Sequence, residues 1–424
     1  MNRLAKFVSG RMHYGWIVAG IVFAMLLCSA GVRATPGVLI IPIEKALGWE
    51  RTTVSSAVAL NLVLFGLMGP FAGSAMLRFG VRRTVLTGLT LLTIGTAAST
   101  QITAPWQLLL TWGLIVGLGS GMCANVLAVT VANRWFTERR GLVSGMLSAS
   151  TATGQLVFLP LLASVATEYG WRAVAWTVCC AVMLLIPIVA WLMVERPRDV
   201  GLRSYGAQED DVPQAAATGN PAAFAISMLG QAARVRDFWL LFATFFVCGL
   251  STNGLIGTHF ISFCYDGGMP ELQAASILAT MGLFNLVGTS FSGWLTDRFD
   301  CRKLLFWYYG LRGLSLMYLP FSDLSLVGIA VFSVFYGLDW VATVPPTMRL
   351  ATNTFGRRNG PIVFGWIYVG HQCGSALAAG GGGLLRAEFG VYTGAFLISG
   401  IACIFASAGV LAITRPRPHA EVPA

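Results

Sequence analysis

"GSAMLRFGVRR", residues 73–83, places three arginines within six positions of a chain that is otherwise strongly apolar. Nearly the same arrangement returns at residues 293–303 as "GWLTDRFDCRK". Hydrophobic residues make up 56% of the 424 positions and charged residues only 11%, against about 25% in an ordinary soluble domain. This composition indicates a protein that is solvated by lipid, and it predicts that the basic stretches lie where the chain leaves the bilayer.

Apolar runs long enough to cross a hydrocarbon core about 30 Å thick recur along the whole chain. Twelve of them are predicted as transmembrane helices: 14–41, 53–76, 84–101, 106–131, 141–165, 172–194, 238–263, 272–296, 303–320, 325–348, 360–385 and 390–413. The first run is too long for the apolar core of a secretory signal, so we interpret it as the first helix. No spacing of Cys and His predicts a metal site, and no motif calls for a cofactor.

The basic residues are distributed unevenly between the predicted loops. Of the 28 Lys and Arg residues, 22 fall on the side that holds both termini, whereas the other side has four. Positive residues concentrate in cytoplasmic loops, so the sequence predicts that both termini are cytoplasmic. The net charge of +10 is explained by this bias and does not indicate a nucleic-acid partner.

The two halves of the chain repeat one another at an offset of 220 residues. The basic stretches align in this register, and the pairs are Gly73 with Gly293, Arg78 with Arg298, Arg82 with Arg302 and Arg83 with Lys303. A duplicated six-helix unit predicts an all-α membrane protein with two six-helix bundles and a substrate site between them. The predicted divisions are a bundle at 1–194, a cytoplasmic linker at 195–236 and a second bundle at 237–424.

The two basic stretches resemble the loop G-x-L-a-D-R-x-G-R-R/K that joins helices 2 and 3 of the major facilitator superfamily. Four further segments resemble its bacterial branch near the monocarboxylate transporters and the oxalate/formate exchangers: "YGWIV" at 14–18, "NRWFTERRGLVSGM" at 133–146, "ERPRDVGL" at 195–202 and "GHQCG" at 370–374. The resemblance implies a monomeric secondary transporter of a small organic anion in a bacterial inner membrane, coupled to protons and without enzymatic activity.

In that superfamily the basic loops clamp the two bundles together on the cytoplasmic side when the outer side is open. The resemblance therefore implies a cytoplasmic gate motif in this chain, consisting of Gly73, Arg78, Arg82, Arg83, Gly293, Asp297, Arg298 and Arg302. Two positions depart from the family pattern. Leu77 stands where the first copy of the motif has an acid, and Thr289 stands where relatives carry an arginine that anchors a carboxylate.

Ionisable side chains within lipid are costly, so each requires a partner, a cavity or a function. Arg33 lies about 25 Å beyond Trp16 along helix 1, and we predict that it forms a bidentate contact to a carboxylate. The other residues predicted to bind substrate are Asn125, Gln155, Asn253, Asn285, Thr289, His371 and Gln372. The alternative for each polar residue is a hydrogen bond between helices, and for Arg33 it is snorkelling to the interface.

Arg312 in helix 9 and Asp339 in helix 10 are predicted to lie at a shared depth, about 13 and 15 Å from the cytoplasmic side. We predict that they form a charge pair. Protonation of Asp339 would leave Arg312 without a counter-charge, so the pair could also take part in coupling.

Three other functions compete with anion transport as interpretations of the sequence. Efflux of an amphipathic organic compound is the alternative within transport, and a sensor or receptor without transport activity is the alternative from another class. An intramembrane enzyme would need a nucleophile beside a base or a cluster of metal ligands, and the sequence contains no such motif.

Overall fold

The computed structural model describes residues 12–123, 125–207, 220–322, 324 and 326–414, and these residues are almost entirely helical. The helices of the first half are α1 (Tyr14–Leu47), α2 (Arg51–Arg78), α3 (Val81–Ser99), α4 (Pro105–Trp135), α5 (Arg140–Tyr169) and α6 (Trp171–Leu192). The second half begins with α7 (Arg236–Asp266), α8 (Glu271–Arg298) and α9 (Cys301–Tyr318) and ends with α12 (Thr393–Val410).

Backbone breaks shape α10 and α11, which lie between α9 and α12. The first part of α10 is Leu326–Asp339, and after a turn at 340–343 the helix resumes at Val344 with prolines in its first turn. Proline is accepted there because the first turn of a helix has no internal partner for its backbone N–H groups. Gly356, with φ 82° and ψ 162°, then separates α10 from α11, which covers residues 357–389. A positive φ of this kind favours glycine.

The prediction of an all-α membrane protein is confirmed. Within the described residues, eight helical spans are long and apolar enough to cross a membrane: Tyr14–Leu47, Arg51–Gly73, Pro105–Trp135, Trp171–Leu192, Arg236–Asp266, Glu271–Arg298, Val327–Gly356 and Thr393–Val410. The predicted end of helix 1 at residue 41 was wrong, because α1 continues to Leu47 through Pro36 and Pro42. Prolines are tolerated in membrane helices where neighbouring groups satisfy the freed carbonyls.

The helices pack as two six-helix bundles, α1–α6 and α7–α12. In the first bundle α1 packs on α5, and α3 on α6; in the second α9 packs on α12, and α7 on α11. The bundles meet along α2 and α11 and along α5 and α8. Gly66 of α2 allows close approach, since a Cβ at that position would collide with the side chain of Gln372 on α11.

The two ends of the molecule are held together differently. We call the end where α1 begins and α12 ends the terminal face, and the opposite end the distal face. On the distal face, ion pairs join the bundles: Lys45 Nζ lies 3.1 Å from Glu271, and Arg51 Nη1 lies 2.8 Å from Asp266. Asp266 also binds Arg386 Nε at 2.7 Å. On the terminal face, no ion pair between described side chains crosses from one bundle to the other.

Candidate substrate site

Arg33 lies on α1 where the first bundle faces α11. Its guanidinium is 4.9 Å from the ring centre of Phe65 on α2, the helix that packs against α11. No carboxylate of the described chain forms an ion pair with it. The charge of Arg33 is therefore not neutralised by any acid among the described residues.

Gln372 and His371 have polar atoms that the protein does not satisfy. Gln372 is fully buried, and within the described residues neither its amide nitrogen nor its amide oxygen makes a hydrogen bond of ordinary length and angle, although the Tyr368 hydroxyl lies near the amide. The Nδ1 atom of His371 is also buried and unpartnered. Its ring packs between Phe245, with ring centres 4.9 Å apart, and Tyr368, at 5.3 Å. Buried polar groups are normally hydrogen-bonded, so these atoms indicate a place for a ligand or water.

Phe65 and Gly66, which are adjacent on α2, place Arg33 and Gln372 at a similar depth in the membrane. Phe65 contacts Arg33, and the next residue, Gly66, contacts Gln372. The arginine of one bundle and the free amide of the other thus stand on either side of the α2–α11 contact. Sequence reasoning proposed both residues, but it offered no signal that they share a level.

The remaining predicted substrate residues differ in how much of their side chain is free. Asn253 lies in the π-helical segment Leu250–Ile256 of α7, is half-buried, and makes no side-chain hydrogen bond within the described residues. Asn285 Oδ1 accepts hydrogen bonds from the Val341 backbone N–H at 3.2 Å and from Thr289 Oγ1 at 2.9 Å. These two side chains, Asn285 and Thr289, therefore stabilise the turn in α10. The side chains of Asn125 and Gln155 lie outside the described ones.

Arg312 and Asp339 form a buried pair at the break in α10. Arg312 Nε lies 2.6 Å from Asp339 Oδ2, and Arg312 Nη2 donates to the backbone carbonyls of Asp339, at 2.6 Å, and Trp340, at 3.3 Å. Arg312 Nη1 also contacts Cys248 Sγ at 3.1 Å on α7. The carbonyl end of a helix carries partial negative charge, so one guanidinium neutralises both the carboxylate and the helix end. Asp339 Oδ1 keeps no partner among the described residues.

The first copy of the gate motif is tied to its own bundle by Glu195. The carboxylate of Glu195 accepts hydrogen bonds from the backbone N–H groups of Val81, at 2.7 Å, and Arg82, at 2.8 Å. Gly80, with φ 92°, makes room, because a Cβ there would collide with this carboxylate. Arg134 lies 3.6 Å from the same group. Glu195 thus binds the N-terminus of α3, a role that the sequence did not reveal.

Other residues of the first copy face outward or pack locally. The guanidinium groups of Arg78 and Arg83 are exposed, and Arg82 donates to the backbone carbonyl of Ala190. Gly73 packs close to Val126 on α4.

The second copy of the motif is held by acids of its own. Asp297 lies 2.5 Å from Arg349, whereas Asp300 accepts from the Arg302 backbone at 2.9 Å and from its guanidinium at 2.7 Å. The hydrogen bond from the Arg302 guanidinium holds the pKa of the Asp300 carboxyl below its usual 3.8. Arg298 stacks on the Trp294 ring at 4.0 Å, and a Cβ at Gly293 would meet no atom within 4 Å. Neither copy makes an ion pair with the other bundle in the part of the chain described here.

A comparison with known families agrees with this architecture. The sequence profile of the Major Facilitator Superfamily matches residues 21–338 and, in a second, overlapping match, residues 266–424. The chain belongs to the major facilitator superfamily. Its members are multi-pass membrane transporters, and this chain is accordingly a transporter of a small molecule rather than an enzyme.

Several relatives match this superfamily member over nearly its whole length. Monocarboxylate transporter 12-B of Danio rerio is 24% identical, with 93% of this chain and 86% of the relative covered. Monocarboxylate transporter 13 of Rattus norvegicus is 26% identical, with 95% and 89% covered. An uncharacterized transporter of the same superfamily from Bacillus subtilis is 22% identical, with 92% of both chains covered.

A solved structure shares the fold. It is that of a bacterial homolog to the human lysosomal transporter Spinster, in an inward-facing and occupied conformation. The TM-score is 0.76 at 13% identity, and the match covers 96% of this chain and 98% of the other. At this identity the likeness establishes the fold alone.

Proposed function

We propose that this transporter moves a small monocarboxylate-like anion across a bacterial inner membrane by proton-coupled alternating access. The single observation that carries the proposal is the Arg33 guanidinium, which stands in the membrane where the bundles meet and forms no ion pair with any carboxylate among the described residues. A guanidinium binds a carboxylate through two parallel hydrogen bonds. The names of the relatives, several of them monocarboxylate transporters, support the same class of substrate.

In this proposal Gln372 and His371 complete the site from the second bundle. The unpartnered amide N–H of Gln372 would donate to the substrate, and His371 Nδ1 would bind a hydroxyl or keto group beside the carboxylate. Binding from both bundles would join them around the anion. The family's helix 8 arginine is replaced by Thr289, so Arg33 would supply the positive charge from the opposite bundle.

Coupling is assigned to the Arg312–Asp339 pair. Protonation of Asp339 would remove the counter-charge of a guanidinium that also holds the break in α10, and would favour a different arrangement of α7, α9 and α10. The bundles, proposed as residues 1–194 and 237–424, would then rock about the linker 195–236. The terminal face, where the basic residues concentrate, is assigned to the cytoplasm.

Uptake into proteoliposomes tests the role of Arg33. With radiolabelled lactate and an inward proton gradient, Arg33→Ala is expected to reduce uptake at low substrate by roughly 100-fold, the loss of about 3 kcal/mol for a bidentate charged contact. Uptake by Arg33→Lys should fall between that of the wild type and that of Arg33→Ala, because an ammonium keeps the positive charge but cannot form two parallel hydrogen bonds to a carboxylate. A matched control is Arg172→Ala, which removes an arginine that donates to the Thr100 carbonyl, away from the bundle interface.

Two results would count against the proposal. The first is normal lactate uptake by Arg33→Ala at low substrate, which would remove Arg33 from the site. The second is wild-type uptake that does not respond to a proton gradient, which would remove proton coupling while leaving anion transport intact. Equal loss of folded protein in the Arg33 variants and in Arg172→Ala would identify a general defect in folding.

Efflux of an amphipathic compound is the second candidate, and one cavity favours it. A cavity of about 300 Å³ lies between α8, α9 and α10, is lined mainly by apolar side chains, and reaches Arg312 and Asp339. Several of its wall residues, such as Phe291 and Phe335, are on the outer surface of the bundle. Resistance of expressing cells to amphipathic cations, without lactate uptake, would favour this function over the first.

A further inference from the structure

A second cavity lies on the terminal face of the first bundle, outside the proposed substrate site. It has a volume of about 670 Å³ and is bounded by the ends of α2 and α3 and by the segment that follows α6. Five arginines line it: Arg78, Arg82, Arg83, Arg134 and Arg196. So dense a group of guanidinium groups around one cavity calls for a negative partner.

The two acids in the wall are already engaged by the protein. Glu195 binds the backbone N–H groups at the start of α3 and lies 3.6 Å from Arg134. Asp199 accepts a hydrogen bond from the backbone N–H of Arg196 at 3.0 Å. Five positive charges thus face two negative ones. The exposed guanidinium groups of Arg78 and Arg83 make no ion pair with any described side chain.

The first copy of the repeat lacks an acid that the second copy has. In the second copy Asp297 pairs with Arg349, and Asp300 pairs with Arg302. The residue that corresponds to Asp297 at the offset of 220 is Leu77, so the first copy lacks this acid. The repeat therefore supplies an internal comparison: Arg302 and Arg349 are paired with acids of their own copy, whereas Arg298 and Lys303 are exposed and form no ion pair with a described side chain.

The surroundings of the cavity place it at the edge of the bilayer. Phe79, in its wall, is 56% exposed, and Trp191 at the end of α6 is 74% exposed. Arg82 donates to the carbonyl of Ala190, the neighbour of Trp191, so the aromatic surface adjoins the arginines. Exposed aromatic side chains of membrane proteins concentrate at the level of the lipid headgroups.

We propose that this cavity binds the phosphate headgroup of an anionic phospholipid from the leaflet at the terminal face. The arginines would bind the phosphate oxygens, and the acyl chains would run beside Phe79 and Trp191. Basic pockets of membrane proteins at this depth suit lipid phosphates, because the guanidinium groups match the phosphate geometry and the chains remain in the bilayer. The assignment is independent of the transported substrate.

Native mass spectrometry of the full chain, released from nanodiscs of phosphatidylcholine mixed with phosphatidylglycerol, tests the proposal. The wild type is expected to retain phosphatidylglycerol in preference to phosphatidylcholine. The double variant Arg78→Gln/Arg83→Gln should weaken this retention by about 30-fold, because each basic residue near an anionic surface strengthens binding by a factor of about five. The matched control is Arg298→Gln/Lys303→Gln at the repeat positions, which should leave retention unchanged.

Other outcomes are equally decisive. Retention by Arg78→Lys/Arg83→Lys supports the proposal, because it shows that charge is needed and that variants at these positions fold. Equal retention of both lipids by the wild type overturns it. So does displacement of the lipid by inorganic phosphate at matched concentration, which would identify a soluble anion. If phosphatidylglycerol is retained only by the variant Glu209→Gln/Asp210→Asn/Asp211→Asn, these acids of the chain occupy the cavity in the wild type, and the proposal fails.

Discussion

The Arg312–Asp339 pair yields the sharpest prediction from this structure. The guanidinium is 1% exposed and binds the Asp339 carboxylate together with the backbone carbonyls of Asp339 and Trp340. Arg312→Met would leave a buried carboxylate without its counter-charge and two carbonyls without their donor. Asp339→Asn would leave the Arg312 guanidinium with its hydrogen bonds to both backbone carbonyls. The first variant should therefore be the more destabilising one.

The magnitudes follow from these contacts. Breaking a buried ion pair costs about 3–5 kcal/mol, and we expect Arg312→Met at the upper end of this range and Asp339→Asn at the lower end. The double variant Arg312→Met/Asp339→Leu removes both charges, so it should be less destabilised than Arg312→Met alone. Arg312→Met, Asp339→Leu and the double variant form a double-mutant cycle. The interaction energy from this cycle should be at least about 2 kcal/mol.

Unfolding of the purified protein by SDS in mixed micelles, followed by tryptophan fluorescence, measures these differences. A control cycle on Arg349 and Asp297 provides the scale, because that pair is exposed and should couple by less than about 1 kcal/mol. If the losses at Arg312 and Asp339 add to within about 0.5 kcal/mol, the two groups do not act as a pair and the reasoning is refuted.

Two further predictions concern the ends of the molecule. Cross-linking of cysteines placed at Lys45 and Glu271 should hold the distal face closed and stop transport until reduction; continued turnover of the cross-linked protein would show that this face need not open. Asp300→Ala should reduce stability by about 1 kcal/mol near neutral pH through loss of the α9 cap. Because Arg302 lowers the pKa of Asp300, this contribution is present above the usual carboxyl pKa and should disappear as pH falls through the folded value; a loss that persists in strong acid would contradict it.

The fold could be predicted from the sequence because its signals are local and repeated. Apolar runs of membrane length and basic loops on alternate sides each depend on a short stretch of chain. The 220-residue repeat then relates one bundle to the other. Helix ends were less predictable: Pro36 and Pro42 suggest an end to α1, yet the surrounding helices allow the helix to continue.

The candidate site depended on the tertiary structure. The sequence alone placed charges such as Arg33 and Asp339 within the membrane, because an ionisable residue in an apolar run is visible without a fold. It did not place Arg33 beside Phe65 of α2, assign Asn285 to the turn in α10 or show that Glu195 binds the start of α3. These contacts join residues far apart in the chain, and side-chain direction and helix packing, rather than residue type, determine which polar atoms remain free for a ligand.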